Sequence, residues 1–405
     1  MDLATVSSWD LPAAAAGSGR SDGHVLAVNA GSSSLKLSVL DAADQLVASA
    51  SVPADRGTAE AAALGDELGW VLAEAGAEAG RGLAAVGHRV VHGGTDLVAS
   101  VVVDADVRNQ LEALTDLAPL HQPTSLAALD AVSRLLPDVP AVACFDTAFH
   151  ATLPPAAATY ALPSEWRRRW GLRRFGFHGL SHAYASRRAA AIVDRPLGSL
   201  RTVTCHLGAG ASLAAVSGGV SVDTTMGFTP LDGLVMATRS GSVDPGLVLW
   251  LEEHVGMPGT ELASALEHRA GLLGLAGSAD LRAVLAAEED GVGDAVLAVA
   301  VYLHRLRAGI AAMAAALGGL DVLVFTGGVG EASAAVRARA SDGLGFLGVA
   351  VDPTTNEAGG ADRDIGAVGA PARTVVVAAR EDLEIARGVR EALGRASADR
   401  EAGGR

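Results

Sequence analysis

Residues 25–36 read VLAVNAGSSSLK, a strand-like apolar run followed by a glycine-serine turn and the start of a second strand. Residues 25–28 form an apolar run with the length of a buried strand, and residues 35–40 alternate in and out as a second strand. The two strands and the glycine-serine turn between them predict a β-hairpin with a polar tip. Glycine lets the backbone offer N–H groups to an anion, and serine hydroxyls and Lys36 suit phosphate. A solvated hairpin turn is the alternative, because the GxxxxGK[ST] pattern is absent and a strand follows.

Composition places the chain among globular proteins. It has 405 residues, of which 50% are hydrophobic and 19% charged, which is enough apolar material for two packed cores. The net charge of −15 argues against non-specific binding of nucleic acid.

The sequence also predicts a cytoplasmic protein that does not enter a membrane. The richest apolar region, residues 295–317, is interrupted by His304, Arg305 and Arg307. The N-terminus lacks the basic start of a secretory signal. Cys144 and Cys205 lie in apolar strand-like runs without CxxC spacing, which predicts two buried free thiols rather than a zinc site or a disulfide.

The second half of the chain repeats the opening pattern. A strand at residues 201–205, a glycine-serine turn at 206–212 and a return strand at 213–216 resemble the first hairpin, and a buried strand at 321–325 runs into TGGVG. We predict two related α/β domains facing a cleft, although any α/β protein has glycine turns after strands. The predicted parts are a disordered leader (1–22), an N-terminal domain (23–152), a C-terminal domain (153–382), a helix packing back on the first domain (383–395) and a frayed tail (396–405).

Four charged side chains stand in apolar surroundings: Arg89, Asp146, His178 and Arg239. Each alone is more often a surface or core hydrogen-bonding residue than a catalyst. Strand ends bordered by glycines are nevertheless where α/β enzymes place their chemistry. With three glycine-rich loops, they indicate phosphoryl transfer, which needs a phosphate cradle, a divalent metal and cations around the transferring group.

Six blocks of this sequence resemble the acetate kinase family, in the same order, from about residue 25 to residue 393. Residues 29–36 fit the signature N-x-G-S-S-S-x-K, and residues 223–233 (DTTMGFTPLDG), continuing into TRSG, resemble the second signature. The other blocks are residues 88–94, 145–150, 175–182 and 325–331.

This resemblance implies an α/β fold of two duplicated actin/Hsp70-like (ribonuclease H-like) domains flanking a catalytic cleft. It implies reversible, Mg²⁺- or Mn²⁺-dependent transfer of the ATP γ-phosphoryl group to acetate by direct in-line transfer. The products are acetyl phosphate and ADP, and the partners implied are these small molecules and a second copy of the chain in a homodimer.

The resemblance also implies residue roles. The catalytic residues are Asp146, His178, Arg239 and Arg89, and Arg89 binds the carboxylate. The metal is placed by Asn29 and Glu381, and the acyl pocket is formed by Val91, Leu120, Phe177 and Pro230. The nucleotide and its phosphates are bound by Ser32, Ser34, Lys36, His206, Leu207, Gly208, Ala209, Gly210, Asp280, Leu281, Arg282, Gly328, Val329, Gly330, Glu331 and Ala332.

A proton-transfer role for Asp146, often assigned in this family, conflicts with simple acid-base chemistry. A carboxylic acid with a pKa of roughly 4 is already ionised at neutral pH, so its oxygen can attack without a base. We therefore expect Asp146 to position an arginine or the hydrated metal.

The sequence departs from the family pattern at several positions. Ala209 and Ala332 replace asparagines of HLGNG and GEN, Gln122 stands where LHNP has asparagine, and the block around Glu381 reads AREDL. Each lost amide is worth about 0.5–1.5 kcal/mol if it made a net hydrogen bond. Three alternatives stay open: pyrophosphate as donor, propionate or butyrate as acceptor, or a non-catalytic nucleotide-binding protein. The complete set of charged residues argues against the last.

Overall fold

The computed structural model describes residues 23–31, 34–53, 61–118 and 122–403. The chain forms two compact units, one of Met1–Ala148 with Glu381–Arg405 and one of Phe149–Arg380. The first boundary thus falls after Ala148 and not after residue 152 as predicted. The ring of His150 is hydrogen-bonded to Ser221 and Phe177, which belong to the second unit. The leader predicted for residues 1–22 lies outside the described residues.

Strands and helices alternate along the described chain. The strands are β1 (His24–Ala30), β2 (Ser34–Leu40), β3 (Leu46–Pro53), β4 (Leu83–Val90), β5 (Val101–Val102), β6 (Ala141–Phe145), β7 (Arg201–Leu207), β8 (Ala211–Ser217), β9 (Val220–Thr224), β10 (Val322–Thr326), β11 (Arg363–Asp364) and β12 (Arg373–Val376). The helices are α1 (Ala61–Glu74), α2 (Ala105–Ala113), α3 (Gln122–Leu135), α4 (Pro155–Ala158), α5 (Ser164–Trp170), α6 (Gly179–Ile192), α7 (Pro245–Trp250), α8 (Gly259–His268), α9 (Gly271–Ala276), α10 (Leu281–Glu289), α11 (Gly293–Ala316), α12 (Gly327–Ala332), α13 (Ala334–Asp342), α14 (Pro353–Glu357) and α15 (Glu381–Gly403).

The two sheets have the same topology. The first has the order β3-β2-β1-β4-β6-β5 and the second the order β9-β8-β7-β10-β12-β11. In each, the first three strands are antiparallel neighbours, the next two join in parallel, and a short edge strand is antiparallel. Every strand of one unit has a counterpart in the other, which confirms the predicted α/β duplication.

Helices cover both faces of the first sheet. The apolar residues of β1, β2 and β3 form one core with α1 and α3, and Val86 of β4 belongs to it. Gly87 points to the opposite face, against α15, and a Cβ there would lie 2.4 Å from Cγ2 of Ile385. Residues of β4 alternate between the two faces, so one strand serves both layers. The C-terminal helix therefore packs on β1 and β4 of the first unit.

The prediction of a frayed tail at residues 396–405 is wrong for residues 396–403, which are helical. The helix begins at Glu381, two residues before the predicted start, and continues to Gly403. Alanine, arginine and glutamate dominate its last turns, and these residues have high helix propensity.

The second unit contains the most apolar helix. Among the described residues, only α11 is by itself long and apolar enough to cross a membrane. Its buried residues recur every three or four positions, from Ala295 to Ala314, and pack on β7 and β8. This periodic packing identifies α11 as a core helix of the unit. Cys144 and Cys205 are both free and buried, as predicted.

Candidate active site

The first hairpin brings Asn29 and Lys36 together. They are directly opposite in the register of β1 and β2, so their side chains leave the same face of the sheet. Ser34 lies on that face too, two residues before Lys36 on β2. The Gly31 N–H donates to the Ser34 carbonyl at 2.9 Å and closes the turn. Ser32, predicted to bind phosphate, lies outside the described residues.

Arg89, near the end of β4, is hydrogen-bonded to Asp146 on one side and to Asn29 on the other. Arg89 donates from Nε to Oδ1 of Asp146 at 3.0 Å and from Nη2 to Oδ2 at 2.6 Å. Nη1 donates to Oδ1 of Asn29 at 3.0 Å. The side chains of Arg89 and Asp146 are only 16% and 2% exposed. Because β4 lies between β1 and β6 in the sheet, three neighbouring strand ends fix this one guanidinium.

Electrostatics keep Arg89 charged. Burial alone would lower the pKa of its guanidinium, but the negative charges of Asp146 and Glu381 and the hydrogen bonds to Asp146 outweigh burial and raise the pKa. Asp146 engages Arg89 with both oxygens in the bidentate geometry that fixes a guanidinium most firmly. This geometry agrees with the expectation that Asp146 positions an arginine.

Glu381 joins the same cluster from the start of α15. Oε2 of Glu381 accepts a short hydrogen bond from Nδ2 of Asn29. Glu381, Asp382 and Glu384 occupy the first helical turn, where the helix dipole favours negative charge.

The donor set around Glu381 fits a metal that brings most of its own ligands. The described residues contain no group of three or more histidine, cysteine, aspartate or glutamate side chains that could hold an ion. Mg²⁺ is usually bound through one or two carboxylates, with waters and phosphate oxygens completing its shell. Glu381 with the amide of Asn29 meets that pattern.

The second unit brings His178 and Arg239 to one glycine. A Cβ on Gly210 would lie 3.4 Å from Nε2 of His178 and 3.4 Å from Nη1 of Arg239. His178 has φ +56° at the start of α6, a conformation that costs a non-glycine residue free energy and often marks a functional site. Burial lowers the pKa of Arg239, which Glu267 partly offsets. The arrangement presents two nitrogen groups to the 206–212 loop.

His206 supports His178 rather than lining the pocket described below. The two rings stack with centroids 4.3 Å apart. Nδ1 of His206 is hydrogen-bonded to Oγ of Ser181 at 2.8 Å.

A cavity of about 570 Å³ lies in the second unit. Its predicted lining residues are Gly208, Ala209, Asp280, Leu281, Arg282, Gly328, Val329 and Ala332, and the structure adds Ala237, Leu272, Ala279, Leu285, Tyr302 and Ser333. The walls are mainly apolar, and at the rim Arg282 forms an exposed ion pair with Asp280. Leu207, Gly210, Gly330 and Glu331, also predicted for the nucleotide, are not among its lining residues.

The glycine-rich segment after the strand at 321–325, predicted as a loop, is a helix. After β10 the chain enters α12 directly, and Arg337 of α13 holds the end of that helix. Nη1 of Arg337 donates to the carbonyls of Gly330 and Glu331 at 2.9 and 2.8 Å, and Nε donates to Oδ1 of Asn356 at 2.8 Å. Arg337 is buried, and its desolvation, with the charge of Arg363, lowers its pKa to about 10. In the sequence, this role is marked only by an arginine in an alanine-rich stretch.

Of the predicted acyl residues, Val91 and Phe177 are buried and Pro230 is half-buried. Val91 lies in the first unit, and Phe177 and Pro230 lie in the second. Leu120 lies outside the described residues. Gln122 replaces an asparagine of the family pattern, and both ends of its side-chain amide are hydrogen-bonded. The amide nitrogen donates to the carbonyls of His92 and Leu111, and the oxygen accepts from the His92 N–H.

The acetokinase family model matches residues 54–387 of this chain. The chain belongs to the acetokinase family. It is 51% identical over 304 residues to the acetate kinase of Gloeobacter violaceus, covering 75% of each chain. The acetate kinase structure from Porphyromonas gingivalis superposes with a TM-score of 0.81 at 34% identity, covering 92% of this chain and 100% of that one. A propionate kinase structure from Francisella tularensis gives a TM-score of 0.82 at 34% identity, covering 90% and 98%.

In this acetokinase, we expect Asp146→Asn to lower kcat/KM for the carboxylate about 100-fold, as loss of a group that fixes transition-state charge does. An amide offers Arg89 one acceptor instead of two and turns an NH₂ group toward the guanidinium. The measurement is the pH profile of kcat/KM, and no new dependence from substrate deprotonation should appear.

Asp130→Asn is the matched control, because Asp130 makes the same two-bond pair with Arg108 between α2 and α3. It should leave activity unchanged. Loss of an acidic limb in the Asp146→Asn profile, at the position of one catalytic pKa, would instead identify Asp146 as the base.

Proposed function

We propose that this protein is an acetate kinase that transfers the γ-phosphoryl group of ATP to acetate, reversibly. The observation that carries the proposal is the complete set of charged residues in a chain 51% identical to a named acetate kinase. Lys36, Arg89, Asp146, His178, Arg239 and Glu381 are all present. A protein that had turned into a nucleotide sensor would have no reason to keep all six.

The first unit binds and orients the acceptor in this proposal. Arg89 pairs with the carboxylate of acetate, and Asp146 and Asn29 hold its guanidinium in place. The carboxylate is ionised at neutral pH and attacks phosphorus without a base. Lys36 and Ser34 contact the donor phosphates.

The second unit stabilises the transferring group. Its oxygens share negative charge in the transition state, so positioned cations supply most of the catalysis. His178 and Arg239 face one glycine and would contact these oxygens.

Glu381, with Asn29, would hold Mg²⁺. When bound, the ion neutralises phosphate charge and orients the donor.

The cavity in the second unit favours a nucleotide over pyrophosphate as the donor. A volume of about 570 Å³ with mainly apolar walls suits a nucleoside, whereas pyrophosphate has no apolar part to bury. Ala209 and Ala332 leave the site without two amides of the family pattern, so we expect weaker ATP binding rather than a different donor.

The acceptor is acetate, with propionate as a poorer substrate. The relative from Francisella tularensis is named a propionate kinase, at the same 34% identity as the Porphyromonas gingivalis acetate kinase. One methylene group is worth only about 1–3 kcal/mol of discrimination. We also propose a cytoplasmic location, which two free buried thiols support.

A variant that fills the cavity tests whether the phosphoryl donor is ATP or pyrophosphate. Ala332→Phe should raise KM for ATP about tenfold, because a phenyl ring displaces the nucleoside from walls that bury it. KM for acetate should not change. The assay traps acyl phosphate as its hydroxamate with ATP or pyrophosphate as donor. Ala335→Phe, an exposed residue outside the cavity, is the control.

Hydroxamate formed by the unaltered protein with pyrophosphate and not with ATP would refute the proposed donor. Equal KM values for ATP in the two phenylalanine variants would refute the proposed nucleotide cavity.

A second copy of the chain would cover an apolar ridge, which we define as residues 247–255. Leu247, Leu249, Trp250 and Val255 are 49%, 54%, 50% and 54% exposed within these nine positions of α7 and the turn that follows. A cluster of large apolar side chains in water usually marks an interface. We propose that the ridge pairs with itself in a homodimer.

Light scattering should give twice the chain mass of 40.7 kDa for the unaltered protein. Leu249→Glu with Trp250→Glu should give the monomer mass, because two charges on each copy would be buried against apolar side chains. Val368→Glu, at a fully exposed site elsewhere, should remain dimeric. A monomeric unaltered protein, or a dimeric double variant, would contradict the proposal.

A further inference from the structure

A chain of hydrogen bonds runs from His178 into the core of the second unit. Nδ1 of His178 is 2.8 Å from Oγ of Ser212, which is 2.8 Å from Nε2 of His182. Nδ1 of His182 is 2.7 Å from Oγ1 of Thr204, and that hydroxyl donates to the Ala214 carbonyl at 3.4 Å.

The fold dictates this alignment. Thr204 and Ala214 are directly paired between β7 and β8, and Ser212 is paired with His206 on the same face. His178 and His182 are four residues apart at the start of α6, so they lie one above the other over that face. Helix spacing and hairpin register together place the groups within bonding distance.

The directions of the bonds follow from counting protons. A carbonyl oxygen only accepts, so the Thr204 hydroxyl donates its proton to the Ala214 carbonyl. The Thr204 oxygen therefore accepts from Nδ1–H of His182. Burial, with the charges of His150 and His206, lowers the pKa of His182 well below the usual histidine value, so His182 is neutral and has one N–H. Its Nε2 therefore accepts from the Ser212 hydroxyl.

The Ser212 hydroxyl has then used its only proton. It must accept from Nδ1–H of His178. The other nitrogen of His178, Nε2, is the atom on the side of Gly210 and Arg239.

We propose that Thr204, His182 and Ser212 form a positioning relay that fixes a proton on Nδ1 of His178, so that His178 donates to the transferring phosphoryl group from Nε2 only as the imidazolium cation. This inference rests on the proposed role of His178. It assigns the three relay residues to orientation and charge rather than to contact with substrate. A charge-assisted hydrogen bond to phosphate is stronger than one from a neutral ring, which is the advantage of the arrangement.

Thr204 is the residue to change because its hydroxyl fixes the direction of the whole chain. Thr204→Val keeps the shape and removes the acceptor, so we expect kcat to fall about tenfold while the KM values for ATP and acetate change less than about twofold. Thr204→Ser restores the hydroxyl and should restore kcat.

Thr202→Val is the matched control. Thr202 is two residues earlier on the same face of β7, and its buried hydroxyl has no hydrogen-bond partner among the residues that the structure describes. This variant should keep the kcat of the unaltered protein. Unchanged kcat in Thr204→Val, or an equal loss in Thr202→Val, would overturn the relay.

Nitrogen NMR of the ¹⁵N-histidine-labelled full chain tests the relay without any catalytic assay. The His182 ring, assigned by the signals lost in His182→Gln, should show the tautomer protonated at Nδ1. A ring protonated at Nε2 would reverse every bond in the chain and refute the proposal. Failure of the unaltered protein to make acetyl phosphate would refute the proposed function instead, whichever tautomer is seen.

Discussion

The ion pair of Arg89 with Asp146 is the interaction on which the first unit's site depends. A guanidinium at a strand end is desolvated, and desolvation alone would disfavour its charge. The bidentate carboxylate reverses that effect, and the Asn29 amide oxygen takes a further N–H. One charge is thereby fixed in direction by the ends of three neighbouring strands, with Glu381 of the C-terminal helix joined through Asn29. Holding Arg89 in place requires no proton transfer by Asp146.

The second unit holds His178 differently. Nδ1 of His178 is hydrogen-bonded to the Ser212 hydroxyl, and that hydroxyl is hydrogen-bonded to the buried ring of His182. Burial keeps His182 neutral, which lets one ring pass on the direction of a hydrogen bond. The two units have the same strand order, yet Arg89 is held by an ion pair and His178 is held by a chain of hydrogen bonds. The duplicated topology supplies strand ends and hairpins, and the side chains placed there supply the chemistry.

Much of the fold could be predicted from local patterns. Apolar runs and glycine turns predicted the two hairpins and the buried strand β10, because buried strands need such runs. The strand β3 was not predicted, since its exposed and buried residues do not alternate regularly. The helix α12 was predicted as a loop, because glycines that favour turns begin it. The end of α15 was placed too early, because a charged terminal segment resembles a frayed tail.

The site was partly predictable for a different reason. Charged residues in apolar stretches stand out in a sequence, so Arg89, Asp146 and His178 could be found. The groups that hold them do not stand out. Thr204 and Ser212 are ordinary strand residues, and only the register of β7 and β8 brings them to His182. Arg337 acts on carbonyl groups six and seven residues earlier, and no sequence pattern marks such bonds.

A double-mutant cycle measures whether Asp146 acts through Arg89. The quantity is kcat/KM for acetate in Arg89→Ala, Asp146→Ala and the double variant. If Asp146 serves only to fix Arg89, the double variant loses no more than Arg89→Ala alone. Losses that multiply in the double variant would show that Asp146 has a role in the reaction separate from holding Arg89.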